Sequence, residues 1–378
     1  MLIAYTRSSS IYDDSRATKE ISAFLEQGYR VEVFGWDRDG KSMEKCVELF
    51  KEYADAVTFS FYDGTTGGSA IGKIIGRYSW NRWLENKLLD IRSLDAIHTC
   101  DFDTGVAARR VAKKRRIEYV YDIFDYYADA HPVFGPLKKY VVKIETEIIN
   151  DAAVTIICTE ERIEQIKESK PKKLVVIHNS PDIPRNYKSD IIYDYAYCGT
   201  MNDGRLIGEI LSLYSENNEL DFVYAGRGKY AKKAEELVRN NKTFTYLGSI
   251  TYNEVLQTES RAKVLSAMYN PIKRNHRLCA PNKFYEAMAL SKPVIVCRGT
   301  GIDKVVKDNN IGLVINYDAE EFYNAIKYLK ENDDLREEMG KRGRRIYEEK
   351  YMWSIMKTKL LEVYDQLEMR VNGNSQEQ

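Results

Sequence analysis

Ala280-Pro281-Asn282-Lys283-Phe284-Tyr285-Glu286-Ala287-Met288-Ala289-Leu290, running through Ser291-Lys292-Pro293 into Val294-Ile295-Val296-Cys297, decides how this chain is read. It predicts a helix feeding a buried strand. Pro281 suits the first helical turn, where its missing N–H is no loss. Lys283 and Glu286 are three apart and share one face, while Phe284, Ala287 and Ala289-Leu290 form an apolar side. Pro293 ends the helix, and the apolar run after it, bounded by Gly299, has the pattern of a central strand. A polar pair at the start of such a helix, at the edge of a parallel sheet, is placed to meet a ligand. The positive helix end and Lys283 favour phosphate, and Glu286, one turn in, can accept hydrogen bonds from sugar hydroxyls. The alternative is a solvated ion pair on an ordinary surface helix.

Length and composition bound what surrounds this stretch. A chain of 378 residues predicts about two domains. With 57 basic and 57 acidic residues there is no excess charge, which argues against a nucleic-acid partner. The six cysteines are scattered singly with no C-x-x-C pair, as expected of reduced thiols without structural zinc. The amino terminus is a short strand without signal-peptide character. No run reaches the roughly 18 apolar residues of a membrane span. These features predict a cytoplasmic protein.

Strand and helix alternate from the start. Leu2 to Thr6 predicts a strand, the polar loop from Arg7 to Ser10 contains Ser9, and Asp14-Ser15-Arg16 opens a helix stopped by Gly28 before a second strand. This is a βαβ unit whose loop lies at the carboxyl edge of a sheet. No G-x-G-x-x-G follows the first strand, which argues against a dinucleotide site there. Two further strands run into carboxylates, Asp101 and Asp103 after the first, Asp122 and Asp125 after the second. They either meet an acceptor hydroxyl or cap helices. From Ser69 to Arg92, Ile74, Ile75, Tyr78, Trp80 and Trp83 interleave with Arg77, Arg82 and Lys87. That pattern suits attachment to an anionic membrane surface, or a core helix with a solvated side. The polar stretch 182–190 is the candidate linker, between domains at 1–182 and 191–352. A helix at about 353–368 follows, and then a tail, 369–378, expected to be disordered. The second domain repeats the alternation. One strand ends in Gly199-Thr200 with Arg205 following, and the next runs into Gly226-Arg227-Gly228. The glycines let backbone amides approach a phosphate, and Arg205 and Arg227 supply charge.

P-x-K-x-x-E-A-x-A-x-x-K-P-V-I-V, over Pro281 to Val296, resembles the donor-site motif of retaining, nucleotide-sugar-dependent glycosyltransferases of the GT-B fold, the family-4 type (glycosyl transferases group 1). D-x-R-x-x-K-E from Asp14, H-x-x-D-x-D-T-G from His98 and V-Y-D-x-x-D-Y-Y from Val120 resemble other stretches of that family. One departure is that many members carry a further glutamate about two turns before this one, where Arg277-Leu278-Cys279-Ala280 holds no acid.

The resemblance implies an α/β chain of two Rossmann-like domains facing a cleft, with the helix at 353–368 packing back on the first domain. It implies a donor site formed by Gly199, Thr200, Arg205, Gly226, Arg227, Ser249, Ile250, Asn282, Lys283 and Glu286. Glu286 binds the ribose, Lys283 and the helix start the diphosphate, and the stretch around Ser249-Ile250 the base. Asp103, Asp125, Arg205 and Lys283 are the implied catalytic groups. Ser9, Arg16, Asp101 and Asp122 are the implied acceptor-side groups. His98, which comes ahead of the Asp101-Asp103 loop, is expected to be structural. The implied reaction moves a sugar from a nucleoside diphosphate to a hydroxyl with retention, in capsule, exopolysaccharide or cell-wall glycan assembly. It needs no cofactor or metal ion; Asp101-Phe102-Asp103 matches a D-x-D spacing but lies in the wrong domain for donor phosphates. A saccharide acceptor, a lipid-linked one and contact with the inner membrane face are the partners it leaves open. A nucleotide-sugar 2-epimerase of the same fold and a non-catalytic sugar-nucleotide-binding subunit are the alternatives.

Overall fold

Val294-Ile295-Val296-Cys297 is buried along its whole length, as a strand covered on both faces of a parallel sheet must be. In the computed structural model it is one of thirteen strands described, all in parallel pairings. The structure describes residues 1–64, 70–131, 133–183 and 189–376, with the side chains at 70, 71, 73 and 372–376 excepted. The core of the expected linker, 184–188, lies outside the described residues, as does Ser69 of the basic-aromatic stretch.

The chain divides into two units, residues 1–178 with 356–378, and residues 179–355. In the first, β1 (Leu2–Arg7), β2 (Arg30–Trp36), β3 (Val57–Tyr62), β4 (Ala96–Cys100), β5 (Glu118–Ile123), β6 (Val154–Ile157) and β7 (Leu174–Val176) form a sheet ordered β3-β2-β1-β4-β5-β6-β7. In the second, β8 (Tyr193–Cys198), β9 (Phe222–Ala225), β10 (Phe244–Tyr246), β11 (Ala262–Ala267), β12 (Val294–Cys297) and β13 (Gly312–Ile315) are ordered β10-β9-β8-β11-β12-β13. Both are doubly wound sheets. Strand order reverses at β1/β4 and at β8/β11, and beyond the carboxyl ends of such strands a crevice opens where ligands bind.

Three local differences from the sequence expectation have physical causes. Pro281 precedes the helix Asn282–Ala289 as its capping residue, with φ of −72°, and does not sit in its first turn. The helix Ala70–Asp90 packs on the core through only part of its length. Trp80, Leu84 and Leu88 are buried, whereas Ile74, Ile75 and Tyr78 nearer its start are 59–66% exposed. The last helix runs Trp353–Gln376, where a disordered tail from 369 is expected. Met356, Leu360, Val363, Tyr364 and Leu367 bury its apolar stripe in the first unit. Arg370 holds Glu118 at 3.2 Å, which docks the chain beyond that stripe. Among the described residues, no helix is long and apolar enough to cross a membrane.

Candidate functional site

At the β8/β11 switch point of the second unit an open pocket of about 380 Å³ is lined by Gly199, Thr200, Arg205, Asn282, Lys283 and Glu286 together with Tyr197, Tyr252 and Tyr269. The helix Asn282–Ala289 sets the geometry. Phe284, Ala287 and Met288 are buried in the core, so Lys283 and Glu286 share a different face, which lines the pocket. The Lys283 ammonium lies 3.1 Å from Glu259 and 3.8 Å from Glu286, with the Tyr197 ring 5.2 Å away. Burial alone would lower the lysine's pKa, but Glu259 and Glu286 hold it well above its usual value, so it stays charged. Gly199 packs on its stem, since a Cβ there would stand 3.0 Å from Lys283 Cε. Arg205 lies over the Tyr269 ring at 5.4 Å and has no carboxylate partner among the described residues. Asn282 Oδ1 accepts a hydrogen bond from Asn179 at 2.9 Å.

Glu259, which the sequence expectation missed, is the second acid here. It is 1% exposed. Burial pushes its carboxyl up to about 8, against the pull of Lys283 and with the repulsion of Glu286. A signal exists in the sequence: on the helix Tyr252–Ser260, Val255 and Leu256 precede Glu259 by four and three residues, which puts a carboxylate on an inward stripe.

The remaining donor candidates do not line this pocket. A Cβ on Gly226 would fall 1.8 Å from the Gly199 carbonyl oxygen, and its φ is +135°. Its N–H donates to Gly248 O at 2.6 Å. The glycine is therefore needed where the loops after β8 and β9 touch, and the Gly226 amide of the expected turn along a diphosphate is engaged within the fold. The Gly199 N–H likewise donates to Ala225 O at 2.8 Å. Arg227 and Ser249 are exposed and Ile250 is half-buried, just before the capping box of Thr251 and Glu254.

In the first unit, the expected acceptor-side groups sit at the β1/β4 switch point, and most are engaged in ion pairs. Arg16 bonds Glu20 at 2.9 Å and also Asp122. His98 faces both carboxylates, at 3.3 and 3.5 Å, and pairs with Tyr364 at 2.7 Å. Arg16 is 3% exposed and Asp122 not at all. These two are thus sealed into a buried network and not presented to an acceptor, and His98 is buried with them. Asp101 takes the backbone N–H groups of Phe124 and Asp125 at 2.8 and 2.9 Å and Arg7 at 3.0 Å. It does so from a φ of +65°, an uncommon backbone for aspartate, and staples the β4 and β5 loops. Burial raises its carboxyl to about 6 against the pull of Arg7. Asp103 is held by Arg77 at 3.2 Å and by Ser8. The Ser9 hydroxyl bonds the neighbouring Ser10 carbonyl. Asp125 pairs with Arg162 at 3.4 Å, yet its side chain remains 55% exposed, which makes it the open carboxylate of the set.

A family model described as Glycosyl transferases group 1 matches residues 206–346. The chain is 24% identical over 299 residues to an uncharacterized glycosyltransferase of Methanocaldococcus jannaschii, covering 74% of this chain and 78% of that protein. Among solved structures, a sucrose-phosphate synthase from Thermosynechococcus elongatus aligns with a TM-score of 0.72 at 16% identity, over 98% of this chain and 100% of that one. HepE of Anabaena, solved in complex with UDP-glucose, aligns with a TM-score of 0.70 at 13% identity, over 97% and 100%. The two doubly wound units are those of the GT-B fold.

Proposed function

We propose that this chain, which carries a Glycosyl transferases group 1 match over residues 206–346 and the GT-B fold of glycosyltransferases, moves a sugar from a nucleoside diphosphate to an acceptor hydroxyl with retention of configuration. The observation that carries this is the placing of Lys283 and Glu286 together in the pocket at the β8/β11 switch point. Glu286 would accept hydrogen bonds from the ribose hydroxyls. Lys283 and Arg205 would face the diphosphate with the start of the helix Asn282–Ala289, since anions favour that end. Charge that develops on the leaving diphosphate then meets cations already in place, which is the term a preorganised site supplies best. That supply of fixed charge supports a reaction without a metal ion. Asp125 is the carboxylate of the first unit best exposed to meet an acceptor. The similarity to HepE, solved with UDP-glucose, makes uridine nucleotides the first donors to try.

The acceptor is a saccharide in glycan assembly, lipid-linked and met at the cytoplasmic membrane face. The support for a membrane surface lies in the first unit. Ile74, Ile75 and Tyr78 are exposed on one helix, and Phe134, Leu137 and Tyr140 on or beside another, Gly135–Asp151. Tyr127 links the two, with Arg77 over its ring at 5.1 Å and its N–H donating to Glu145 at 3.4 Å. Arg82, Lys138, Lys139 and Lys143 are exposed on the same helices, giving the basic and aromatic mixture that anionic lipid attracts.

The test is incubation with a panel of nucleotide sugars, with and without a lipid extract, followed by assay of nucleoside diphosphate. Release dependent on the extract is the expected result. Isomerised nucleotide sugar would instead make the protein an epimerase, and binding without turnover would make it a non-catalytic subunit.

A further inference from the structure

Glu259 is placed where a diphosphate-binding pocket should avoid a negative charge. Its Oε1 takes the Lys283 ammonium at 3.1 Å, closer than the 3.8 Å to Glu286. No donor among the described residues reaches its Oε2, although that oxygen is buried. The side chain belongs to the helix Tyr252–Ser260, so Lys283 and Glu286 approach it from a different element. With both acids ionised, the trio carries one net negative charge beside the expected phosphate position. With Glu259 protonated it is neutral, and Arg205 adds a positive charge to the pocket.

We propose that Glu259 is a positioning residue that holds Lys283 against the pocket wall while the site is empty and lets it go when a nucleoside diphosphate enters, the Glu259 carboxyl being protonated in the bound state. This rests on the nucleotide-site assignment above. The exchange balances: the ammonium leaves a carboxylate for phosphate oxygens, and the carboxylate becomes a carboxylic acid whose O–H can be donated to Glu286. Burial first of all raises the Glu259 carboxyl to about 8 in the empty site, so the proton is already held below that pH and uptake on binding is confined to the alkaline side of it. The other groups facing it keep their state over the same range. Lys283 is held charged, and burial raises Tyr197, Cys198 and Tyr252.

A bound state that holds one more proton binds more weakly as pH rises through the empty-site pKa. UDP affinity should therefore fall roughly eightfold between about pH 7.5 and pH 9, where the nucleotide's own phosphates are fully ionised. Titration calorimetry in two buffers of different ionisation enthalpy should show proton uptake by the wild-type protein at the upper end of that range. Glu259→Gln, which keeps the shape and an acceptor for Lys283, should bind UDP with a flat pH profile and without uptake. Wild-type binding that is flat with pH and takes up no proton would overturn the proposal while leaving the nucleotide site standing, as would an unchanged slope in Glu259→Gln. Failure of UDP, GDP and ADP to bind at any pH would remove the nucleotide site and this role with it.

Discussion

Replacing Lys283 by methionine tests the pocket at its most charged point. The substitution removes the ammonium from between side chains that are 2% and 4% exposed, Glu259 and Glu286. Deleting one partner of a buried charge set typically costs about 3–5 kcal/mol, because the charges left behind have lost both water and counter-ion. In a unit of this size each kcal/mol moves the midpoint by about 2–4 °C, so a loss of up to roughly 6–20 °C is expected on the alkaline side, where both acids are ionised. The deficit should depend on pH, with a definite sign. Glu259 already holds its proton to about pH 8, and without Lys283 it holds it higher still. The folded state then binds a proton that the unfolded chain releases near its ordinary carboxyl pKa. Stability is fullest below that value and falls as pH climbs toward and past 8. Urea denaturation followed by circular dichroism, at about pH 5.5 and 8.5, reads this directly. Lys283→Met should be close to wild type at the lower pH and clearly weaker at the higher. Lys283→Met with Glu259→Gln should recover most of the loss, because one of the stranded charges is gone. Neither variant should bind UDP. Equal stability of Lys283→Met and wild type at both pH values, or a double variant no better than the single, would refute the charge pairing.

Gly226→Ala drives a methyl to 1.8 Å from the Gly199 carbonyl at a φ few side chains adopt. It should lower the thermal midpoint by an amount worth about 1–3 kcal/mol and weaken UDP binding, since the loop carrying Gly199 must move; an unaltered midpoint would contradict the contact. Glu145 is fully buried with only Tyr121 and the Tyr127 N–H as donors to it among the described residues, and burial raises it to about 8. Its folded pKa lies above the unfolded value, so its contribution is lost as pH rises through 8, and Glu145→Gln should gain up to roughly 5 kcal/mol relative to wild type near pH 9 and much less near pH 5. Ile74→Ser with Phe134→Ser and Tyr140→Ser should leave the midpoint within about 1 kcal/mol of wild type, these side chains being exposed. The triple variant should lose flotation with anionic liposomes, and equal flotation would show that the apolar patch is not the contact.

The sheet strands were legible because burial on both faces leaves an unbroken apolar run, as in Val294 to Cys297, and Pro293 and Gly299 mark its ends. Lys283 and Glu286 were legible because three-residue spacing is a local property of a helix. What could not be read was long-range. Asp122 ends a strand and Arg16 opens a helix, a pattern equally suited to meeting a ligand. Only the pairing of β4 with both β1 and β5 brings His98 and Tyr364 against them and closes the site. Gly226 had a phosphate-loop pattern, but its necessity comes from a carbonyl 27 residues earlier in the chain. Glu259 was obscured for the opposite reason. Its inward position is encoded locally, but an acid on an apolar stripe gains meaning only from Lys283, a partner 24 residues away.

The two switch points place comparable chemistry at the same place in two similar sheets, and a covering side chain separates their fates. At β1/β4, Arg16 is balanced by Glu20 and Asp122, with His98 beside them. The Phe124 ring lies 4.0 and 4.4 Å from the guanidinium groups of Arg7 and Arg16. The cluster is buried and its charges have nowhere to go, so its contribution is to fix β1, β4 and β5 and, through Tyr364, the last helix. At β8/β11, Lys283 has a similar pair of acids and the Tyr197 ring 5.2 Å away, but the loop after β8 is Gly199-Thr200 and the pocket stays open. A buried carboxylate beside an open pocket can exchange its proton with solvent, whereas one beneath a ring stays paired. The structural ion network and the charge-adjustable ligand site therefore differ in access to solvent: the first is buried with Phe124 over its guanidinium groups, and the second opens beside Gly199.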